Sequence, residues 1–228
     1  MIRSLTLAHA PSHTRCGLID CAVGYASIVS RIPLPPLPPV PGDARPGGRS
    51  MVDILADQHR DLLDLSERLA DGGAAHGRAA NVLCAMTVRH LSAEEQYLYP
   101  AARAALPDGD RLADAEVTAD ARLQEALRRL SVPAAEARDA VVRALHGHVT
   151  RCEQRLFPAL RAALDDTTLI RLGNRVVIAG ESAPTRPHPG TPFTPPWNRL
   201  VEPAVGVLDK IRDGLTGRPT RPERLGSR

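Results

Sequence analysis

Aromatic side chains are scarce in this 228-residue chain, which holds two Phe, three Tyr and one Trp. With so few rings to stack on bases, and no Lys/Arg stripe interleaved with them, nucleic-acid binding finds no support. No apolar run approaches the roughly eighteen residues that a membrane span needs, so no membrane association is expected. Met1-Ile-Arg opens like a signal peptide, but polar and His residues interrupt the segment after it, and a cytoplasmic location is expected. The four cysteines, Cys16, Cys21, Cys84 and Cys152, show no disulfide framework for a chain of this size. No stretch of 51–182 alternates as a strand, and no nucleophile–base pair or phosphate loop proposes an organic substrate.

Proline is plentiful but confined. Pro33-Leu-Pro-Pro-Leu-Pro-Pro-Val-Pro41 and the run from Pro184 to Pro196 favour extended polyproline conformations over packed cores. The expected organisation is therefore a disordered Pro-rich extension over 1–50, a folded unit over 51–182, and a Pro-rich linker with an amphipathic helix over 183–228. Because Met51 opens the helical unit, residues 1–50 are read as an extension that translation can omit. The chain carries a formal +3, yet its helical unit is acidic, so the basic excess belongs to the flanks. His9, His13, Cys16 and Cys21 match no familiar zinc spacing and are read as tail. Val201, Val205, Leu208, Ile211 and Leu215 recur at helical spacing, and the mixed charge of the opposite face points to docking on the bundle, on a protein partner or on a second copy rather than on a membrane.

Within the folded unit the period is helical throughout. Leu55, Leu62, Leu65 and Leu69 mark a first helix, with Ser50 and Asp53 resembling a capping box at its start. A second helix, about 74–105, aligns Leu83, Met86, His90, Glu94, Leu98 and Ala101. The third, about 110–131, aligns Leu112, Glu116, Asp120, Leu123, Leu127 and Leu130. A fourth, about 133–164, aligns Val141, Leu145, His148, Cys152, Leu156 and Ala159. Short connections make this an all-α, up-down-up-down four-helix bundle, followed by a further helix at about 166–180.

Two stretches are near-copies: His90-Leu-Ser-Ala-Glu94-Glu95-Gln-Tyr-Leu-Tyr-Pro100 and His148-Val-Thr-Arg-Cys152-Glu153-Gln-Arg-Leu-Phe-Pro158. Residues four apart share one helix face, so a His and a Glu so spaced can grip one cation. Each bundle helix puts a charged or imidazole group on or beside its inner face: His59; His90 and Glu94; Asp120 with Glu116; His148 and Glu153. Burying ionised carboxylates without a neutralising partner costs several kcal/mol each, and nitrogen with carboxylate oxygen suits iron, manganese or zinc.

On these residues the chain resembles the hemerythrin-like HHE cation-binding domains, over about residues 51–164, with flanks like those of actinobacterial members. The resemblance rests on His59 in Asp57-Gln-His59-Arg, on the His90 helix ending in Leu-Tyr-Pro100, and on the His148 helix ending in Leu-Phe-Pro158. It implies a non-haem iron centre, di-iron with mono-iron as the alternative, held by His59, His90, Glu94, Asp120, His148 and Glu153. It further implies reaction with, or binding of, dioxygen, peroxide or nitric oxide; the alternative is an iron- or redox-responsive binding module without turnover. Two positions depart from the family. Asp120 stands where a histidine is usual: it ligates through oxygen, or the second ion is lost, or the carboxylate is solvated. Cys152 stands four residues after His148, so that Glu153 at the fifth inherits the carboxylate role, and Cys152 is read as core with a redox-sensitive thiol beside iron as the alternative. Tyr97 and Tyr99 are read as packing, and His76 and His146 as solvent-facing.

Overall fold

The computed structural model describes residues 46–69, 74–130, 135–186 and, near the C-terminus, 209–210, 212–213 and 216–225. The Pro-rich extension, the His9/Cys16 group and most of the expected C-terminal helix lie outside the described residues. Among those described, every regular element is helical. Helix α1 is Met51–Arg68, α2 Ala74–Ala93, α3 Tyr99–Ala105, α4 Gly109–Arg129, α5 Ala135–Arg151, α6 Phe157–Ala163 and α7 Asp166–Ser182.

The second and fourth rods are not plain α-helices. A π turn, Glu94–Leu98, joins α2 to α3, and another, Cys152–Leu156, joins α5 to α6. Pro100 and Pro158 supply the cause: proline lacks an N–H and its ring collides with the carbonyl four residues back, at Gln96 and Gln154 in the middle of each π turn. Each helix answers by widening, so Tyr99 N–H bonds Glu94 O and Phe157 N–H bonds Cys152 O, five residues back. The extra residue per turn rotates Tyr99 and Phe157 onto the inner face, where both are buried.

The four rods close on one another and α7 lies across α1 and α2. Two close approaches need glycine. A Cβ on Gly109 would stand 2.0 Å from the Ala102 carbonyl oxygen at the α3–α4 corner, and one on Gly173 of α7 would stand 2.1 Å from the Arg49 carbonyl oxygen at the start of α1. The anticipated capping box does not form. Ser50 is the N-cap of α1, but its side chain makes no capping bond there.

The core is split in two. At one end Leu62, Leu83, Leu91, Leu123, Leu127 and Leu145 pack together; at the other Leu55, Leu98, Tyr99, Leu156, Phe157 and Leu160 do. Each fully buried Leu stabilises the bundle by about 1.5–3 kcal/mol. Between the two clusters the inward residue of every rod is polar: His59 between Leu55 and Leu62, His90 and Glu94 on the second rod, Asp120 on α4, His148 on the fourth rod. The result is a polar layer sealed at both ends by apolar packing.

At the far end of α7 a polar network ties the C-terminal segment down. Asp209 accepts from the Thr185 N–H at 3.0 Å, Asp213 pairs with Arg186 at 2.5 Å, and Arg218 donates to the Asn81 side chain at 2.9 Å and to the Thr185 carbonyl. Arg89 of α2 reaches the Thr220 carbonyl at 3.0 Å.

Candidate metal centre

Helical spacing alone brings His90 and Glu94 to one face; the bundle then adds His59 from α1 and His148 from α5. One ligand atom from each of these four lies within 4.8 Å of all the others, and all four side chains are buried. His90 Nε2 is 3.2 Å from His148 Nε2. Glu94 Oε1 lies 3.3 Å from His90 Nε2 and 3.7 Å from His59 Nε2, and its Oε2 lies 3.2 Å from His148 Nε2. Donors bound to one ion at about 2.0–2.1 Å are separated by roughly 3.0–3.4 Å, a spacing that the contacts of His90 and His148 match and the longer His59–Glu94 contact exceeds. His59 Nε2 and Glu94 Oε1, both fully buried, have no hydrogen-bond partner among the described residues. A cation would satisfy both, so this donor set fits one.

The opposite face of each imidazole is occupied by a protein acceptor. His59 Nδ1 meets Glu153 Oε1 at 3.0 Å, His90 Nδ1 meets Gln58 Oε1 at 2.8 Å, and His148 Nδ1 lies 3.1 Å from Asp120 Oδ1. The last contact has ion-pair distance without hydrogen-bond alignment. An acceptor at Nδ1 keeps the proton there and aims the Nε2 lone pair inward. Phe157 holds the His59 ring by stacking, with centroids 5.4 Å apart and planes 7° from parallel.

Of the six residues expected from the sequence, four therefore share the inner set. Asp120 and Glu153 stand behind the rings. Asp120 is fully buried, which removes the reading of a solvated carboxylate, while the Glu153 side chain keeps 41% of its exposure. Tyr99, read as packing, joins the polar layer: its hydroxyl lies 3.0 Å from Glu94 Oε2 and 2.5 Å from Asp120 Oδ2. Gln58 was not anticipated either. Its only sequence signal is its place beside His59, whereas the signal for Tyr99 was Pro100, which forces the π turn.

Glu116 and Cys152 offer atoms within 4.8 Å of one another and of a His148 ring nitrogen. Glu116 is already held, however, by Arg151 Nε at 2.9 and 3.0 Å. Cys152 is fully buried, as the core reading requires, and burial with the Glu94, Glu116 and Asp120 charges pushes its thiol well up. It is no thiolate. Cys84 is buried; His146 is exposed, as expected, whereas His76, read as solvent-facing, is half-buried with Nδ1 3.2 Å from the Leu69 carbonyl oxygen.

Electrostatics sets His90 and His148 apart. Burial lowers the His90 pKa, which keeps that ring neutral. Burial acts the same way on His148, but Glu94 and Asp120 outweigh it and hold His148 well above its usual range. Glu94 is pushed up by burial and pulled down further by His90 and His148, ending well below the carboxylate range. Burial, with Asp120 and Glu94 alongside, drives the Tyr99 phenol well up, so it stays a proton donor.

No curated protein and no solved structure matches the chain significantly. The family model described as Hemerythrin HHE cation binding domain matches residues 50–160, which run from the N-cap of α1 to within α6 and contain all four convergent donors and the groups behind them. With buried histidines and a glutamate gathered across its helices as cation binding requires, the bundle of this chain belongs to the hemerythrin HHE cation-binding domain family.

Proposed function

We propose that the bundle holds one iron ion through His59, His90, Glu94 and His148, and that this centre binds or reacts with a small oxidant such as dioxygen, peroxide or nitric oxide. The observation that carries the reading is the convergence of three Nε2 atoms and one carboxylate with a protein acceptor facing each Nδ1. In this reading Glu153, Gln58 and Asp120 orient the rings rather than ligate. Three neutral imidazoles and one carboxylate leave a divalent ion with one uncompensated charge, and buried Asp120 balances it. Iron, when bound, supplies the one-electron chemistry that no side chain here can perform. The protein's own groups do the rest. Tyr99 holds a proton between Glu94 and Asp120, at the wall of the centre, and the two apolar clusters keep bulk water out of the layer.

Anaerobic iron loading followed by elemental analysis tests this directly. About one iron per chain is expected, lost in Glu94→Ala and kept in Glu153→Gln. Two irons per chain would return Asp120 and Glu153 to the ligand set, and none would remove the centre.

A second reading, an iron-responsive binding module without turnover, is favoured by one contact: Arg89, next to ligand His90, holds the C-terminal segment at Thr220. Loading would then change protease cleavage of the C-terminal segment without consuming peroxide in the presence of reductant. Consumption of peroxide over many cycles would sink this reading.

A further inference from the structure

On the outer side of the centre, α1, α2, α7 and the C-terminal segment enclose a pocket of about 260 Å³. Its lining includes His90 and Gln58, the pair whose 2.8 Å hydrogen bond sits directly behind the centre. Leu62, Met86 and Val176 give it apolar wall. Arg89 gives it charge. That guanidinium is half-buried and, among the described residues, its one hydrogen bond goes to the Thr220 carbonyl and no carboxylate lies within ion-pair distance of it, though Glu181 and Asp213 act on it from farther off. Arginine carries five N–H donors in a fork that matches a carboxylate, so most of its donor capacity is left for a ligand. The other charges at the pocket cancel each other or lie at its rim: Arg221 pairs with Glu181 at 3.1 Å, and Glu223 is exposed.

The helix itself leaves room for an occupant. Gly180 lies within α7 and lines the pocket, and a Cβ there would meet nothing within 4 Å. Glycine inside a helix is destabilising relative to alanine, and no neighbour requires it here. What its missing side chain does is keep the pocket open.

We propose that this pocket binds a short aliphatic carboxylate, its charge on Arg89 and its alkyl tail against Leu62, Met86 and Val176, above the Gln58–His90 hydrogen bond. Such a ligand sits behind the centre and alters it through that bond: pulling on Gln58 changes how firmly His90 Nδ1–H is held and so the donor strength of Nε2. This coupling, unlike the binding itself, rests on the proposed iron centre.

Calorimetric titration of the full chain with butyrate, acetate and butylamine tests the pocket. One butyrate per chain is expected, with acetate about tenfold weaker for want of two methylenes and butylamine silent. Arg89→Gln should weaken butyrate at least tenfold, and Gly180→Leu, which fills the space, should abolish it while the melting temperature holds or rises. No saturable butyrate heat, or butyrate binding unchanged in both variants, overturns the proposal; loss in Gly180→Leu with full binding in Arg89→Gln overturns the carboxylate assignment. In iron-loaded protein butyrate should also shift the optical spectrum, and an unchanged spectrum at saturation removes the coupling. Butyrate binding by protein that takes up no iron would sink the iron reading alone, and iron uptake without butyrate binding would sink the pocket alone.

Discussion

The rod α2–π–α3 and the rod α5–π–α6 start from the same sequence pattern and end with different tasks. Both carry an inward histidine, a proline-driven π turn and an aromatic residue rotated into the core. At the position after the histidine by one turn, the first rod has Glu94 and the second Cys152; at the position before proline, the first has Tyr99 and the second Phe157. One rod thus contributes an anion and a phenol that hydrogen-bonds to it. The other contributes a neutral thiol and a ring that stacks on His59. A symmetric pair would bring a carboxylate from each of the two rods; the asymmetry leaves Glu94 as the carboxylate that converges with the three imidazoles, the arrangement on which the proposed single ion rests.

Removing the anion of the first rod should break the comparison most severely. Glu94→Ala or His90→Ala is expected to lose the metal entirely, and with it the stabilisation that binding gives the folded state, about 4 kcal/mol at a thousandfold excess over the dissociation constant. Elemental analysis and melting with and without iron read both effects. Retention of full occupancy by either variant would mean that the layer's centre lies elsewhere.

Restoring symmetry is the next largest intervention. Cys152→Glu gives the second rod the carboxylate of the first and should raise iron content from about one toward two per chain, with Asp120 recruited from behind His148. Before loading, the larger side chain in a fully buried position should cost roughly 1–3 kcal/mol by overpacking, and loading should recover it. Iron content fixed at one, with no recovery of the melting temperature, would show that the Arg151–Glu116 pair has closed that side.

Acidity separates the two histidines of the rods as well. His90 is held neutral by burial, whereas His148 is held well above its ordinary value of 6.5 by Glu94 and Asp120. A raised imidazole pKa contributes stability to metal-stripped protein below about pH 6.5 and loses it as pH rises through the folded value. Glu94, held below its ordinary 4.5, contributes above that value and loses it only in acid. Stripped protein should therefore melt lower as pH climbs above neutrality. Loaded protein needs His148 unprotonated at Nε2, so the gap between loaded and stripped melting temperatures should widen from about pH 6 to about pH 8. A gap independent of pH would show that metal uptake displaces no proton from His148.

The fold was legible because leucine recurs at helical spacing on every rod, and the inner histidines because they interrupt that leucine stripe. Helix ends were less so: the capping box at Ser50 fails, and the third helix ends at Arg129 rather than Ser131. Spacing along a helix says which face a residue takes, not how far it projects or which ring nitrogen it meets. That is why Asp120 and Glu153 could be placed at the layer but not on the Nδ1 side of it. The π turns were written in Pro100 and Pro158, but these were read only as the close of each repeated motif inside unbroken helices, and Tyr99 was missed with them. Gln58 needed the packing of α1 on α2, which no single-helix pattern contains.

The smallest expected effect comes from exchanging the aromatic partners of the two rods. Tyr99→Phe keeps the ring and its burial but removes the only proton that Glu94 Oε2 and Asp120 Oδ2 share. Asp120 is then left buried with His148 as its sole ion-pair contact among the described residues, and an unsatisfied buried acceptor costs about 1–3 kcal/mol. The variant should fold, melt a few degrees lower and still bind iron. Its optical spectrum should shift, since Glu94 loses the hydrogen bond that tempers its oxygen. Phe157→Tyr makes the reciprocal change without a reciprocal result: the ring stacks face to face on His59, so an added hydroxyl at its edge gains no carboxylate of its own rod, where Cys152 stands. If Tyr99→Phe leaves both melting temperature and spectrum untouched, the phenol is packing, and the difference between the two rods reduces to Glu94 against Cys152.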